Sequence, residues 1–239
     1  MRDWNIYLAL ALFMLPSCDD VARADTGLFT ALERLADEQN AEAIYHLGMA
    51  YHTGSGVSED RSKALEAFRR SAALGDPLAS YKLGCYYDGQ GGRLVGDDPD
   101  SALRYKLVAA EAGYALAQQD VAAIYASRGD LKSGLTWLKK AADQGWSGAL
   151  MTYASVHNGA AGVPRDAAKT AAYFKLFLDR AEPDAEQREW LANFERKMQP
   201  DELERASSMV RTYRAAPTAL TIKALSGQQA AQELVRQGR

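Results

Sequence analysis

One stretch of this chain, from Glu42 to Asp76, has a chemistry that returns three more times. It carries two apolar helical faces separated by the glycine-rich turn Gly54–Val57, which is the pattern of a helical hairpin. A single hairpin cannot bury both of its apolar faces, so copies of it must stack against one another. The repeat therefore predicts an all-α fold, an α/α solenoid of stacked hairpins.

The spacing of recurring residues fixes the number of units. Gly75, Gly113 and Gly145 close successive units at steps of 38 and 32 residues. The units open with alanines at steps of 36, 38 and 32 residues, namely Ala43, Ala79, Ala117 and Ala149. The combined offset of 106 residues also relates four further pairs: Val57 and Val163, Asp60 and Asp166, Lys63 and Lys169, Phe68 and Phe174. Agreement of several independent positions predicts four hairpins, with length changes confined to the turns.

These motifs resemble the Sel1-like repeat (SLR), a relative of the tetratricopeptide repeat. Unit 1 carries the family pattern in the following residues: Leu47-Gly48, Tyr51, Gly54–Val57, Asp60, Lys63-Ala64 and Gly75-Asp76. Unit 2 has a longer turn over Gly89–Asp98, unit 3 a shorter one over Arg128–Asp130, and unit 4 departs from the pattern after Leu178. The resemblance implies a shared scaffold rather than a shared activity.

In hairpins of the tetratricopeptide type, the first helix of each unit lines a concave groove. The resemblance implies that the groove is lined by Tyr45, Met49, His52, Tyr81, Cys85, Asp88, Gln119, Ala123, Met151, Ser155 and Asn158. This row is mostly neutral, aromatic and methionine-containing, which suits an extended or helical segment of a partner protein. The alternative is that these side chains pack against neighbouring helices or against the N-terminal helix.

The N-terminus reads as an export signal. The apolar run Trp4–Leu15 follows Arg2 and is too short for a membrane-spanning helix, which needs about 20 residues. In one reading, residues 1–17 are a lipoprotein signal peptide and Cys18 is lipidated, which predicts a cell-envelope lipoprotein facing the periplasm. Cleavage after Ala24 instead predicts a soluble periplasmic or secreted protein, and an uncleaved anchor or no export is the third reading. Pro16 is unusual in a lipobox, and Ala24 lies rather far from the apolar run.

The segments that flank the repeats have simpler patterns. Residues 18–27 are predicted to be a tether, and 28–182 the solenoid, including an N-terminal capping helix over Leu28–Gln39. Apolar stripes in 183–214 predict two C-terminal capping helices, with Pro200 at the start of the second. Residues 215–239 are predicted to be a flexible tail, with a short helix over 228–236 as the alternative.

The sequence has few groups with catalytic potential. His46 and His52 lie about 240° apart around one helix and cannot share a metal from one face. The glycine-rich turn of unit 2 lacks the ending of a phosphate-binding loop. Asp97, Asp98 and Asp100 lack the spacing of a calcium loop and are read as a helix start. The remaining cysteine, Cys85, is read as a small residue in or beside the groove, with a reactive thiol as the alternative. We therefore expect no catalytic residues, no metal site and no cofactor.

The partner class follows from charge and scaffold. A net charge of −3 with well-mixed signs argues against a nucleic-acid partner, and contact with a membrane is expected only through a lipid anchor. The sequence favours a non-enzymatic protein–protein interaction scaffold of the bacterial cell envelope that binds a protein or peptide in its groove. The alternatives are an envelope hydrolase acting on peptidoglycan or β-lactams, and a structural subunit that self-assembles through Trp190, Phe194 and Met209. The oligomeric state stays open.

Overall fold

A computed structural model describes residues 18–91, 94–181 and 183–238, so the predicted signal peptide over 1–17 lies outside the described residues. Within these ranges the chain forms thirteen helices and no β-strand, which confirms the predicted all-α class. The helices are α1 (Cys18–Asp37), α2 (Ala41–Thr53), α3 (Arg61–Ala73), α4 (Pro77–Tyr87), α5 (Pro99–Glu111), α6 (Ala115–Ser127), α7 (Leu131–Asp143), α8 (Ser147–His157), α9 (Ala167–Leu178), α10 (Ala185–Glu195), α11 (Pro200–Thr212), α12 (Ala219–Ser226) and α13 (Gln228–Gln237).

Helices α2 to α9 form four antiparallel hairpins that stack in chain order. Each hairpin packs its two helices together, in the pairs α2–α3, α4–α5, α6–α7 and α8–α9, and each second helix also packs on the first helix of the next unit. The hairpins thus bury one another's apolar faces, as the repeat predicts.

The recurring aspartates of the repeat start helices. The Oδ1 atom of Asp60 accepts the backbone N–H of Lys63 at 2.9 Å, and Asp166, its counterpart in unit 4, accepts that of Lys169 at 3.1 Å. A side-chain oxygen at this position satisfies one of the free N–H groups of the first helical turn. The aspartates therefore recur because each second helix needs a defined start.

The small residues of the repeat allow the two helices of a hairpin to approach closely. A Cβ atom on Gly48 of α2 would lie only 2.6 Å from Cε1 of Phe68 on α3, and Phe68 is fully buried. The alanines that open the units, which include Ala43 and Ala149, are fully buried as well. Any larger side chain at these positions would force the helices apart.

The flanks of the solenoid differ in part from the prediction. Helix α1 begins at Cys18, so residues 18–27, predicted as a tether, are helical in the structure. Helices α10 and α11 lie where capping helices are predicted, and both pack on α9. In this cap, Trp190 stacks on Phe194 at a ring-centroid distance of 5.1 Å and contacts Phe174 at 4.6 Å.

The described part of the predicted flexible tail, residues 215–238, instead folds back over the solenoid, and α13 lies where the alternative of a short helix was predicted. We call residues 213–238 the C-terminal clasp. At its start, Tyr213 donates from its hydroxyl to the carbonyl of Ala142 at 2.6 Å, and the N–H of Ala216 donates to the carbonyl of Asp143 at 3.0 Å. At its end, α13 packs against α1 and α2. The clasp thereby connects the third hairpin to the first.

Candidate functional site

The unit 1 end of the predicted groove is partly covered. Tyr45, Met49 and His52 project from α2 and are each half-buried. Burial raises the pKa of Tyr45 and lowers the pKa of His52, whose Nδ1 atom lies 3.2 Å from the Tyr86 hydroxyl. The clasp reaches this end through Lys223, which donates from Nζ to Glu42 at 2.8 Å.

Two of the predicted groove residues of unit 2 are buried. The hydroxyl of Tyr81 donates to Oδ2 of Asp120 at 3.1 Å, and its ring meets that of Tyr114 edge-on at a centroid distance of 5.1 Å. Cys85 carries a buried free thiol whose pKa is raised by that burial. Tyr81 and Cys85 therefore support the groove wall from within.

Between units 2 and 3, a buried lysine pairs with two carboxylates, that of the predicted groove residue Asp88 and that of Asp120 on α6. Nζ of Lys106, on α5, lies 2.5 Å from Oδ2 of Asp88 and 2.7 Å from Oδ2 of Asp120. Burial opposes the charge on Lys106, but the hydrogen bonds that its ammonium group donates to Asp120 and Asp88 outweigh that effect and raise the pKa of the lysine. Two carboxylates facing one ammonium group leave a net negative charge, and both aspartates keep part of their side chains exposed.

Most of the predicted groove residues of units 3 and 4 are exposed. Gln119 lies between α6 and α8, since its Oε1 atom would be 2.6 Å from a Cβ placed on Gly148. Four further predicted groove residues on these two helices and at their ends are exposed: Ala123, Met151, Ser155 and Asn158. Met151 is the largest of them and 42% of its surface is exposed. We call these four residues together with Asp88 and Asp120 the open groove surface.

Sequence reasoning missed Lys106, Asp120 and the clasp. The repeat step that relates unit 1 to unit 2 carries Phe68 to Lys106. The structure bears out this equivalence, because a Cβ on Gly84 would meet Cγ of Lys106 at 2.6 Å, as one on Gly48 would meet Phe68. A lysine at a core position of the repeat was therefore a readable signal for a buried ion pair.

Other clusters singled out in the sequence have local structural roles. Oδ1 of Asp98 accepts the N–H groups of Asp100 at 3.1 Å and Ser101 at 3.0 Å, so this aspartate starts α5, as read from the sequence. Across the described part of the chain, no three His, Cys, Asp or Glu side chains are grouped so that they could hold a metal ion. None of the helices in the described ranges combines the length and apolar character needed to cross a membrane.

Comparison with known proteins agrees with this architecture. The sequence matches the Sel1 repeat family model over residues 41–76, 77–114, 122–146 and 150–180, which is more than half of the chain. None of the curated proteins matches it.

Two solved structures illustrate the likeness. The Sel1 repeat protein from Oxalobacter formigenes is 22% identical with a TM-score of 0.64, and the match covers 80% of each chain. The protein c5321, a protective antigen present in uropathogenic Escherichia coli strains that displays an SLR fold, is 23% identical with a TM-score of 0.63. That match covers 86% of this chain but 42% of c5321, so the chain spans less than half the length of that protein. At these identities the likeness is one of fold.

Proposed function

Because this chain belongs to the Sel1 repeat family, we propose that it is a non-enzymatic scaffold that holds a segment of a partner protein in its concave groove. Proteins with Sel1 repeats are generally protein–protein interaction scaffolds. The observation that carries the proposal is the open groove surface, where a large apolar side chain, Met151, is exposed beside small and polar neighbours on stacked, rigid helices. Stacked repeats of this kind bind other proteins on the concave surface that their first helices form, and Met151 lies on one of those helices.

The open groove surface also defines the chemistry of the partner segment. A flexible thioether such as Met151 adapts to apolar side chains of varied shape. Asp88 and Asp120 add a net negative charge, because Lys106 neutralises one of the two carboxylates. A partner segment with an apolar residue and a lysine or arginine spaced to reach both features is complementary to this surface.

Two positions of equal exposure provide the test. Met151 lies on α8, the first helix of its hairpin, and Val108 lies on α5, a second helix; their exposed fractions are 42% and 43%. A photo-crosslinking residue at each position, used in cell-envelope extracts, should capture a partner from 151 and not from 108. With the purified partner, Met151→Glu should weaken binding at least tenfold and Val108→Glu should leave it unchanged. Equal effects of the two substitutions, or capture from 108 alone, contradict the proposal.

We further propose that the protein acts in the cell envelope, anchored through a lipidated Cys18. The support is the N-terminal sequence, in which Arg2 and the apolar run Trp4–Leu15 are followed shortly by this cysteine. The mass of the mature N-terminus tests this. A diacylglycerol-modified Cys18 is the expected result, whereas an N-terminus at Asp25 indicates ordinary secretion and an intact Met1 indicates an uncleaved chain.

A further inference from the structure

A partly open cavity of about 250 Å³ lies between the two ends of the described chain. Its walls come from α1 and α2 on one side and from α12, α13 and the turn between them on the other. Most of the lining is apolar and includes Phe29, Leu32, Met49, Ala50, Ala224 and Ala231. The space is partly open to solvent and is larger than the voids found in well-packed protein interiors, so a small ligand has both room and access.

The walls of the cavity are held in place by contacts outside it. On the α1 side, Phe29 packs edge-on against Tyr51 at a ring-centroid distance of 5.4 Å. On the clasp side, Thr221 is anchored to the solenoid through the N–H of Ala115 at 3.0 Å, and Lys223 to Glu42 at 2.8 Å. The cavity is therefore preformed, and a ligand would not need to order its walls before binding.

The lining selects an uncharged aromatic ligand. The described residues that border the cavity offer no free carboxylate, ammonium or guanidinium group, because the ammonium of Lys223 already pairs with Glu42, so a charged ligand would find no such partner there. The rings of Phe29 and Tyr45 and the thioether of Met49 favour aromatic over aliphatic occupants. Thr53 and Ser55 border the same space and provide hydroxyl groups for one polar substituent.

We propose that this cavity binds a compact, uncharged aromatic molecule with one polar group. An apolar cavity of about 150 Å³ holds benzene, so the larger volume here suits a molecule of about ten non-hydrogen atoms. This site is separate from the open groove surface, and the inference does not rest on the proposed function. A ligand that contacts both α2 and the clasp stabilises their association, since its binding site exists only while the two are packed together.

Indole is a suitable probe, because it is aromatic, uncharged and of the stated size. Titration of the full chain should shift the ε-methyl NMR signal of Met49 to a plateau, whereas zwitterionic tryptophan should leave it in place. Ala224→Leu fills the cavity from α12 and should weaken indole binding at least tenfold. Ala219→Leu, which adds the same side chain at an exposed site of α12 outside the lining, should bind as the unmodified protein does.

A second variant, with its substitution on α2, controls for any destabilisation of the clasp by Ala224→Leu. If the melting temperature of Ala224→Leu falls, Ala50→Val takes its place in the test. It reduces the volume of the cavity from the α2 side and should weaken indole binding at least threefold. A Met49 shift that does not saturate, equal responses to indole and tryptophan, or binding unchanged in both cavity-filling variants overturns the proposal.

Discussion

Lys106 donates a hydrogen bond of 2.7 Å from Nζ to Oδ2 of Asp120, although only 3% of the lysine is exposed and it takes the core position that Phe68 holds in the first hairpin. The stem of the lysine fills the space beside Gly84, while its charged end reaches the groove and also pairs with Asp88. One residue therefore links the interior of unit 2 to the electrostatics of the open groove surface.

Lys106→Met is expected to destabilise the protein. Methionine keeps the apolar stem but leaves Asp88 and Asp120 close together without a cation, so the free energy of unfolding should fall by about 2–4 kcal/mol. Urea denaturation followed by circular dichroism measures the change. Lys132→Met, at an exposed site on α7, is the control and should stay within about 0.5 kcal/mol of the unmodified protein.

Neutralising both aspartates tests the cause of that loss. The triple variant Lys106→Met, Asp88→Asn, Asp120→Asn removes the repulsion and should recover most of the lost stability. A single Lys106→Met variant as stable as the unmodified protein, or a triple variant no more stable than the single one, would show that the ion pairs do not stabilise the fold.

The hairpins could be predicted from sequence because their determinants are local and repeated. The spacing predicts that each unit ends at a glycine, and these glycines have positive φ angles, which glycine adopts more readily than other residues. They are Gly75, Gly113 and Gly145. Asp60 and Asp166, which occupy equivalent positions of the repeat, are both helix caps. Each of these features depends on residues within a few positions along the chain.

The clasp could not be predicted in the same way, because its anchors are far apart in sequence. Thr218 donates from its hydroxyl to the carbonyl of Gly113 at 2.9 Å, and nothing in the local pattern marks a contact between residues so distant along the chain. The clasp also has few large apolar residues facing inward; Ala231 and Val235 are its buried ones on α13. The same distance in sequence hides the approach of the clasp to the first hairpin, so the sequence could not show which of the predicted groove residues are covered.

Thr221→Val should loosen the clasp. Thr221 is only 2% exposed, and its Oγ1 atom accepts the N–H of Ala115 at 3.0 Å and lies 2.7 Å from Oε1 of Gln144. Valine has the same shape but leaves both partners buried without that hydrogen bond, which costs about 1–3 kcal/mol. Hydrogen exchange should show faster exchange of the α13 amides, with those of α8 and α9 unchanged.

Thr212→Val provides the matched control for that experiment. Thr212 is exposed, and its hydroxyl bonds to the carbonyl of Ser208 within α11. This variant should leave exchange in α13 as it is. Equal protection of α13 in the Thr221 variant and the unmodified protein would mean that these hydrogen bonds do not hold the clasp.

His157→Gln should reduce the sensitivity of the fold to mild acid. Burial, followed by the nearby ammonium of Lys169, lowers the pKa of His157 below its ordinary value of 6.5. The unfolded chain therefore takes up a proton at a pH where the folded chain does not, and stability is lost as the pH falls below about 6.5. Urea unfolding at pH 8, 7, 6 and 5 should show a smaller decline for the glutamine variant.

The pH window separates this effect from those of other groups. His52, whose pKa is also lowered by burial, accounts for part of the decline that remains in the variant. Asp166 has its pKa lowered below 3.8, because the N–H of Lys169 and the charges of Arg205 and Lys169 outweigh its burial, so its contribution is lost only at lower pH. An identical decline from pH 7 to 5 in the variant and the unmodified protein would contradict the assignment to His157.

Two glycines with almost the same backbone conformation allow the contact between the solenoid and the clasp to be measured. Gly145 has φ of 81° and Gly129 has φ of 84°, so alanine at either site should cost about 1–2 kcal/mol of conformational strain. A Cβ on Gly129 would meet nothing within 4 Å, whereas one on Gly145 would lie 2.8 Å from Cβ of Ala215 in the clasp. Gly145→Ala should therefore lower the free energy of unfolding by about 1 kcal/mol more than Gly129→Ala does, since the added crowding cannot be relieved by a flexible side chain. Adding Ala215→Gly removes the Cβ atom that the new methyl group would meet, and it should cancel most of the extra loss of stability in Gly145→Ala. Equal stability of Gly145→Ala and Gly129→Ala would mean that the clasp is not packed against the turn that closes unit 3.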